Sequence, residues 1–160
     1  MKEDSYIYDS IDWYYIRAIE VYKETDKKND KNLTKNDYDE IRERASVHIA
    51  FFVTWLIKHD YLNDIFPIED IKRLCDEKIS GIDFIRKHCE EKIVRKMIRK
   101  DILSFMDDFY NEYYFSEKYV PWVINVINDL PLEFGWNWDD YYEYEKFVDG
   151  YYLLFKKRTV

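Results

Sequence analysis

The chain has 160 residues, of which 47% are hydrophobic, enough for one domain with a buried core. Charged residues make up 36%, and no apolar run is long enough to span a bilayer, which excludes a helical membrane protein. Two cysteines exclude a disulfide scaffold, and a net charge of −8 repels phosphate backbones and favours basic partners.

Only three glycines and three prolines occur, too few for the tight turns of an all-β protein. The expected fold is therefore all-α, a single-domain helical bundle over residues 1–160 with a buried central helix. Residues Met1-Lys2-Glu3-Asp4-Ser5 lack the apolar stretch and cleavage site of a signal peptide, so a cytoplasmic protein is expected. Aromatic residues reach 19%, with 16 tyrosines; such rings fill cores and also anchor interfaces.

In chain order, residues 11–23 form an apolar-rich segment predicted as a helix, with a strand as the alternative. Residues 24–37 are polar and charged and predict a mobile loop. Asp37 with Glu40 resembles a capping box. Behind it Ile41, Ala45, His48, Ile49, Phe52, Val53 and Leu56 recur at helical spacing, and Val47–Ile57 is apolar almost all round. That pattern predicts a central helix over 38–60. Pro67 and Ser80 mark two short helices. Residues 102–113 follow with a helical stripe that leaves Asp107, Asp108 and Glu112 mostly outside it. Pro121 is predicted to open a helix, Pro131 to Gly135 to break it, and Asn137 or Asp139 to cap a last helix ending in Lys156-Lys157-Arg158.

The chemistry-bearing residues are few. His48, His59, His88, Cys75 and Cys89 lack the paired spacings of a zinc site, and no glycine-rich phosphate loop or nucleophile elbow is present, so no metal, cofactor or catalytic residue is expected. If residues 91–100 are helical, Lys92, Arg95, Lys96, Arg99 and Lys100 form one basic face that could grip phosphate; the competing reading is a solvated surface. Residues 129–149 carry seven acids against one base, a net charge of −6, interleaved with Phe134, Trp136, Trp138, Tyr141, Tyr142 and Tyr144. Stiff rings in a field of one sign suit a binder of basic proteins; the same residues also suit a helix that closes the core with its acids outside.

Arg42 and His48 are separated by five residues. This resembles the R-x(4–6)-H motif of the HEPN ribonuclease families, which are small and all-α; the resemblance implies cleavage by His48 and phosphate binding by Arg42. The bland alternative is a hydrogen-bonded histidine inside an apolar helix. A second resemblance is longer. His48-Ile49-x5-Trp55-x-Ile57-x4-Leu62 looks like the signature of a poorly characterised family of small bacterial proteins, with Ala50 where that family has glycine and residues 24–36 as an insertion. It continues through Ser80-Gly81-x2-Phe84, His88-Cys89-Glu90, Leu103, Phe109, Tyr113-Tyr114 and Tyr119, about two-thirds of the chain. Such proteins resemble the immunity proteins of bacterial toxin systems. The resemblance implies an antitoxin-like inhibitor, not an enzyme, that neutralises a cognate toxin with a basic effector domain of the nuclease kind. The expected toxin-binding residues are Trp136, Trp138, Asp139, Asp140 and Glu143. A nucleic-acid binder using the basic face, or the ribonuclease, is the alternative.

Overall fold

The computed structural model describes residues 2–111 and 113–159; Glu112 lies outside them. Two short strands and seven helical elements appear in the order β1 (Ile7–Ser10), α1 (Tyr15–Thr25), α2 (Lys35–Lys58), α3 (Ile68–Cys75), α4 (Gly81–His88), β2 (Lys92–Val94), α5 (Leu103–Phe109), α6 (residues 114–127) and α7 (Trp138–Arg158), with short 3₁₀ turns between. The chain is thus mostly helical but not all-α. β1 and β2 pair antiparallel, with Ile7 opposite Val94 and Ser10 opposite Lys92, and a bulge falls between Ile7 and Asp9. Among the described residues no helix is long and apolar enough to cross a membrane.

α2 is the central helix. Every residue from Ala45 to Ile57 is buried, as an all-round apolar helix must be. α1, α3, α4, α7 and both strands pack around it. The helix starts earlier than the Asp37/Glu40 pattern predicts. Thr34 is the cap: its Oγ1 accepts from the Asp37 amide (3.2 Å), while the Asp37 carboxylate accepts from the Thr34 amide (2.8 Å). Asp37 therefore closes the box from the third helical position, where a carboxylate serves as well as glutamate. Tyr22 and Lys28 also donate to Asp37. The segment predicted as a loop over 24–37 contains the end of α1, a 3₁₀ turn over Asp30–Asn32 and this cap.

α4 approaches α2 very closely at Gly81. A Cβ there would stand 2.8 Å from the Ala50 carbonyl and 2.7 Å from the Trp136 ring, so only glycine fits. Ser80 caps α4 as expected, with Asp83 completing the box.

α6 differs from its prediction. Pro121 does not open it; the helix already runs from Tyr114, in π-helical turns on either side of a short α-helical piece containing Pro121. Pro121 falls at the start of that α-helical piece, where a missing N–H is tolerated. Asn128, in the left-handed region, ends the helix.

The basic stripe is the clear correction. Residues 91–100 do not form a helix. Glu90 and Glu91 both adopt positive φ after α4, the β-branched Val94 joins β2 with Ile93, and 3₁₀ turns follow. Periodic charge was outweighed here by strand pairing with a distant segment. Arg95 turns to Tyr8 and Asp107, and Arg99 to Asp60 and Asp101, so the helical face expected for the five cations does not form and its two arginines are already paired.

Candidate functional site

The acidic, aromatic stretch begins at the turn before α7. Asn137 caps that helix: its Oδ1 accepts from the Asp140 amide (2.7 Å), and its Nδ2 donates to the Asp140 carboxylate (2.8 Å). Asp139 and Asp140 thus occupy the first turn, where the helix dipole favours negative charge. Burial raises the Asp140 carboxyl above its ordinary value, and Asp139, Asp129 and Glu143 push it further in the same direction. Asp139, Asp140 and Glu143 share the first turns of α7, and Asp129, from beyond α6, adds to their negative field. Among these described residues Glu143 alone meets a cation, Lys146 at 2.9 Å.

The rings are divided. Tyr141 and Tyr144 are fully buried, and Tyr144 stacks on Phe51 of α2. Trp136 and Trp138 are half-buried. Trp136 packs on Phe51, crosses Trp138 edge to face, and donates its amide to Glu43 (3.0 Å). The ammonium of Lys58 sits 5.3 Å from the Trp138 ring and 5.0 Å from that of Tyr142. The two tryptophans therefore hold the turn against α2 and present only part of their area. Asp139 is exposed, while Asp140 and Glu143 are partly so.

Arg42 and His48 are not brought together. Arg42 ion-pairs with the buried Glu91 and lies over the Tyr15 ring. His48 is 1% exposed, with its Nε2 3.2 Å from Asp9 Oδ2 but out of line for a good hydrogen bond. Tyr14, Phe115 and Tyr119 wall it in. Burial, then Asp9, pushes the Tyr14 hydroxyl well above its ordinary pKa. The partner of His48 lies on a strand that the sequence did not reveal, and no spacing signals it.

Residues 7–133 match the model of a family described as a domain of unknown function, DUF7832. The chain belongs to this family. The matched segment runs from β1 through α6 and includes His48, its partner Asp9 and the whole of α2. It stops short of Trp136, Trp138, Asp139, Asp140 and Glu143. Neither curated proteins nor solved structures give a match.

A cluster the sequence missed lies at the start of that DUF7832 segment, with Tyr6 just before it. Trp13 is 57% exposed, more than either Trp136 or Trp138, and stands beside Tyr6 and Ile7, which are also exposed. The sequence offers Trp13 only as one apolar residue among several in 11–23. Its exposure follows from its place in the 3₁₀ turn Ile11–Trp13, which buries Ile11 and turns Trp13 outward.

Proposed function

We propose that this protein is a binding module of the immunity-protein kind, which covers a basic effector domain with the face formed by Asp129, Asp139, Asp140 and Glu143. The observation that carries this reading is the set Asp139, Asp140 and Glu143 in the first turns of α7, of which Glu143 alone meets a cation among the described residues; after burial, the like charges of Asp139, Asp129 and Glu143 raise the Asp140 carboxyl. Carboxylates held close at a cost to the free protein gain most when a cationic surface arrives. Trp136 and Trp138 give that face a stiff floor, since their rings are already held by Phe51 and Lys58 and lose little freedom on binding. Inhibition would be steric and electrostatic.

The experiment recovers the protein that co-purifies with this chain and measures its association by stopped flow. Charge reversal at Asp139, Asp140 and Glu143 together should slow association about tenfold or more at low salt and much less at high salt. An unchanged rate would remove this face from the interface. The ribonuclease alternative draws no support from the arrangement, because Arg42 faces Glu91 and His48 is sealed against Asp9. Purified protein that cleaves RNA, and loses cleavage in a folded His48→Ala variant, would restore it.

A further inference from the structure

The outer face of α7 is open. Tyr141, Tyr144 and Val148 turn inward and are buried, while Lys146, Gly150, Leu153, Leu154 and Lys157 are exposed. Leu153 and Leu154 are each more than half exposed. Gly150 stands in the middle of the helix, where glycine is the least favourable residue after proline. A Cβ added to it would meet nothing within 4 Å, so nothing among the described residues requires a glycine there. Gly81, by contrast, is demanded by α2 and Trp136.

Beside this face lies a hole. Trp122 and Val126 of α6 and Glu143, Lys146 and Phe147 of α7 line a groove of about 280 Å³. Its apolar floor is fixed by Trp122, which stacks on Phe147 at 5.4 Å, and Lys146 at its rim is held by Glu143 at 2.9 Å. Glu143, Lys146, Phe147 and Gly150 fall at i, i+3, i+4 and i+7. Four helical residues in that pattern form the hole that receives one side chain of a facing helix.

The spacing about Gly150 identifies the facing helix. Leu154 lies four residues after Gly150 and Lys146 four before it; Lys157 lies seven after and Glu143 seven before. An antiparallel copy of α7, related by a two-fold axis beside Gly150, therefore sets Leu154 over the hole at Lys146 and Phe147 and Lys157 opposite Glu143, and does so twice. The flanks agree as well. Phe147 and Leu154 are seven residues apart and so share one side of the helix, the side on which α6 supplies Trp122 and Val126. A two-fold axis brings those like flanks together.

We propose that the protein self-associates as a two-fold dimer through α7, with the two copies of Gly150 at the crossing point and Leu154 of each copy seated in the α6–α7 groove of the other. The missing Cβ lets the two helix axes approach closely. The last helical residue, Arg158, then falls opposite position 142 of the other copy. Asp139 and Asp140 thus stay open to a basic effector, and of the carboxylates assigned to that face only Glu143 is shared.

Sedimentation equilibrium of the whole protein tests this without any effector, so its result is separate from that of the effector measurement. It should show a monomer–dimer equilibrium with a dissociation constant of about 100 µM or below, as suits a single helix pair. Leu154→Asp, at an exposed site outside the core, should weaken the dimer at least about tenfold. Gly150→Leu should raise the melting temperature of the dilute monomer, because leucine favours the helix and meets nothing there, yet weaken the dimer at least about tenfold by holding the helices apart. Glu143→Lys and Lys157→Glu should each weaken it about fivefold, and the two together should recover most of that loss, since each end again meets its opposite. A protein that stays monomeric at about 1 mM, a dimer that Leu154→Asp or Gly150→Leu leaves unchanged, or a double charge variant no tighter than either single one would each overturn the proposal.

Discussion

Two aromatic regions of this molecule are built from the same residue types and end up on opposite sides of its surface. Between residues 134 and 144, Tyr141 and Tyr144 turn inward onto Phe51, and Trp136 and Trp138 are drawn half inside. Around Trp13, Tyr6 and Trp13 remain outside although their neighbours Tyr8 and Ile11 are buried. The difference lies in what each segment faces. The first docks along α2, whose all-round apolar surface accepts every ring presented to it. The second flanks a strand whose residues Tyr8 to Ser10 are buried together, and it ends in a 3₁₀ turn that buries Ile11 and leaves Trp13 outside. Aromatic content thus marks a candidate interface only after the register against α2 is known.

The largest expected effect comes from removing the surface that draws the first region in. Phe51 meets Trp122, Trp136, Tyr141 and Tyr144. Phe51→Ala should cost about 3–5 kcal/mol by urea denaturation, whereas Trp13→Ala should stay within about 0.5 kcal/mol. Comparable costs would mean that the two regions are not inside and outside in the sense described. A smaller effect is expected at Gly81. An added methyl there must move the Ala50 backbone or the Trp136 ring, so Gly81→Ala should destabilise by about 1–3 kcal/mol and alter the fluorescence of Trp136. A neutral or stabilising result would show that α4 can withdraw from α2 freely.

What the sequence made legible follows the same division. α2 could be read because thirteen successive buried residues leave an unambiguous pattern, and the caps at Ser80 and Asn137 could be read because capping is local. The start of α2 was misplaced by three residues because Asp37 suits either end of a capping box, and only the Thr34 contact decides which. The sheet was illegible because β1 and β2 are four and three residues long and pair across most of the chain. Without it, Lys92 to Lys100 looked like one helical face, and Asp9 could not be matched to His48. Of the candidate site, the charge of 129–143 was legible as composition. That Asp129 joins the acids of α7, and that Trp13 rather than Trp136 is the most open of these tryptophans, depends on tertiary packing and has no local signature.

The contrast extends to carboxylates, and pH can resolve it. Asp70, nearly buried on α3, accepts from His88 (2.7 Å) and pairs with Lys87 (3.0 Å). His88 first, then Lys87, lower its carboxyl from 3.8 to about 2. Asp140, on the acidic face, is raised instead by burial and by like charges. The signs are opposite. For Asp70 the unfolded chain takes up a proton below about pH 4 that the folded chain refuses until about pH 2, so its stabilisation is complete above pH 4 and is lost as pH falls through that window. For Asp140 the folded chain holds its proton to higher pH than the unfolded chain does, so its contribution is most favourable in acid and declines as pH rises through its raised pKa. Urea denaturation at several pH values should therefore show a flatter acid decline in Asp70→Asn and a steeper one in Asp140→Asn. If both variants changed the slope in the same direction, burial and like charge would not outweigh the Asn137 hydrogen bond at Asp140, and the face assigned to a basic partner would lose the feature that distinguishes it from an ordinary helix cap.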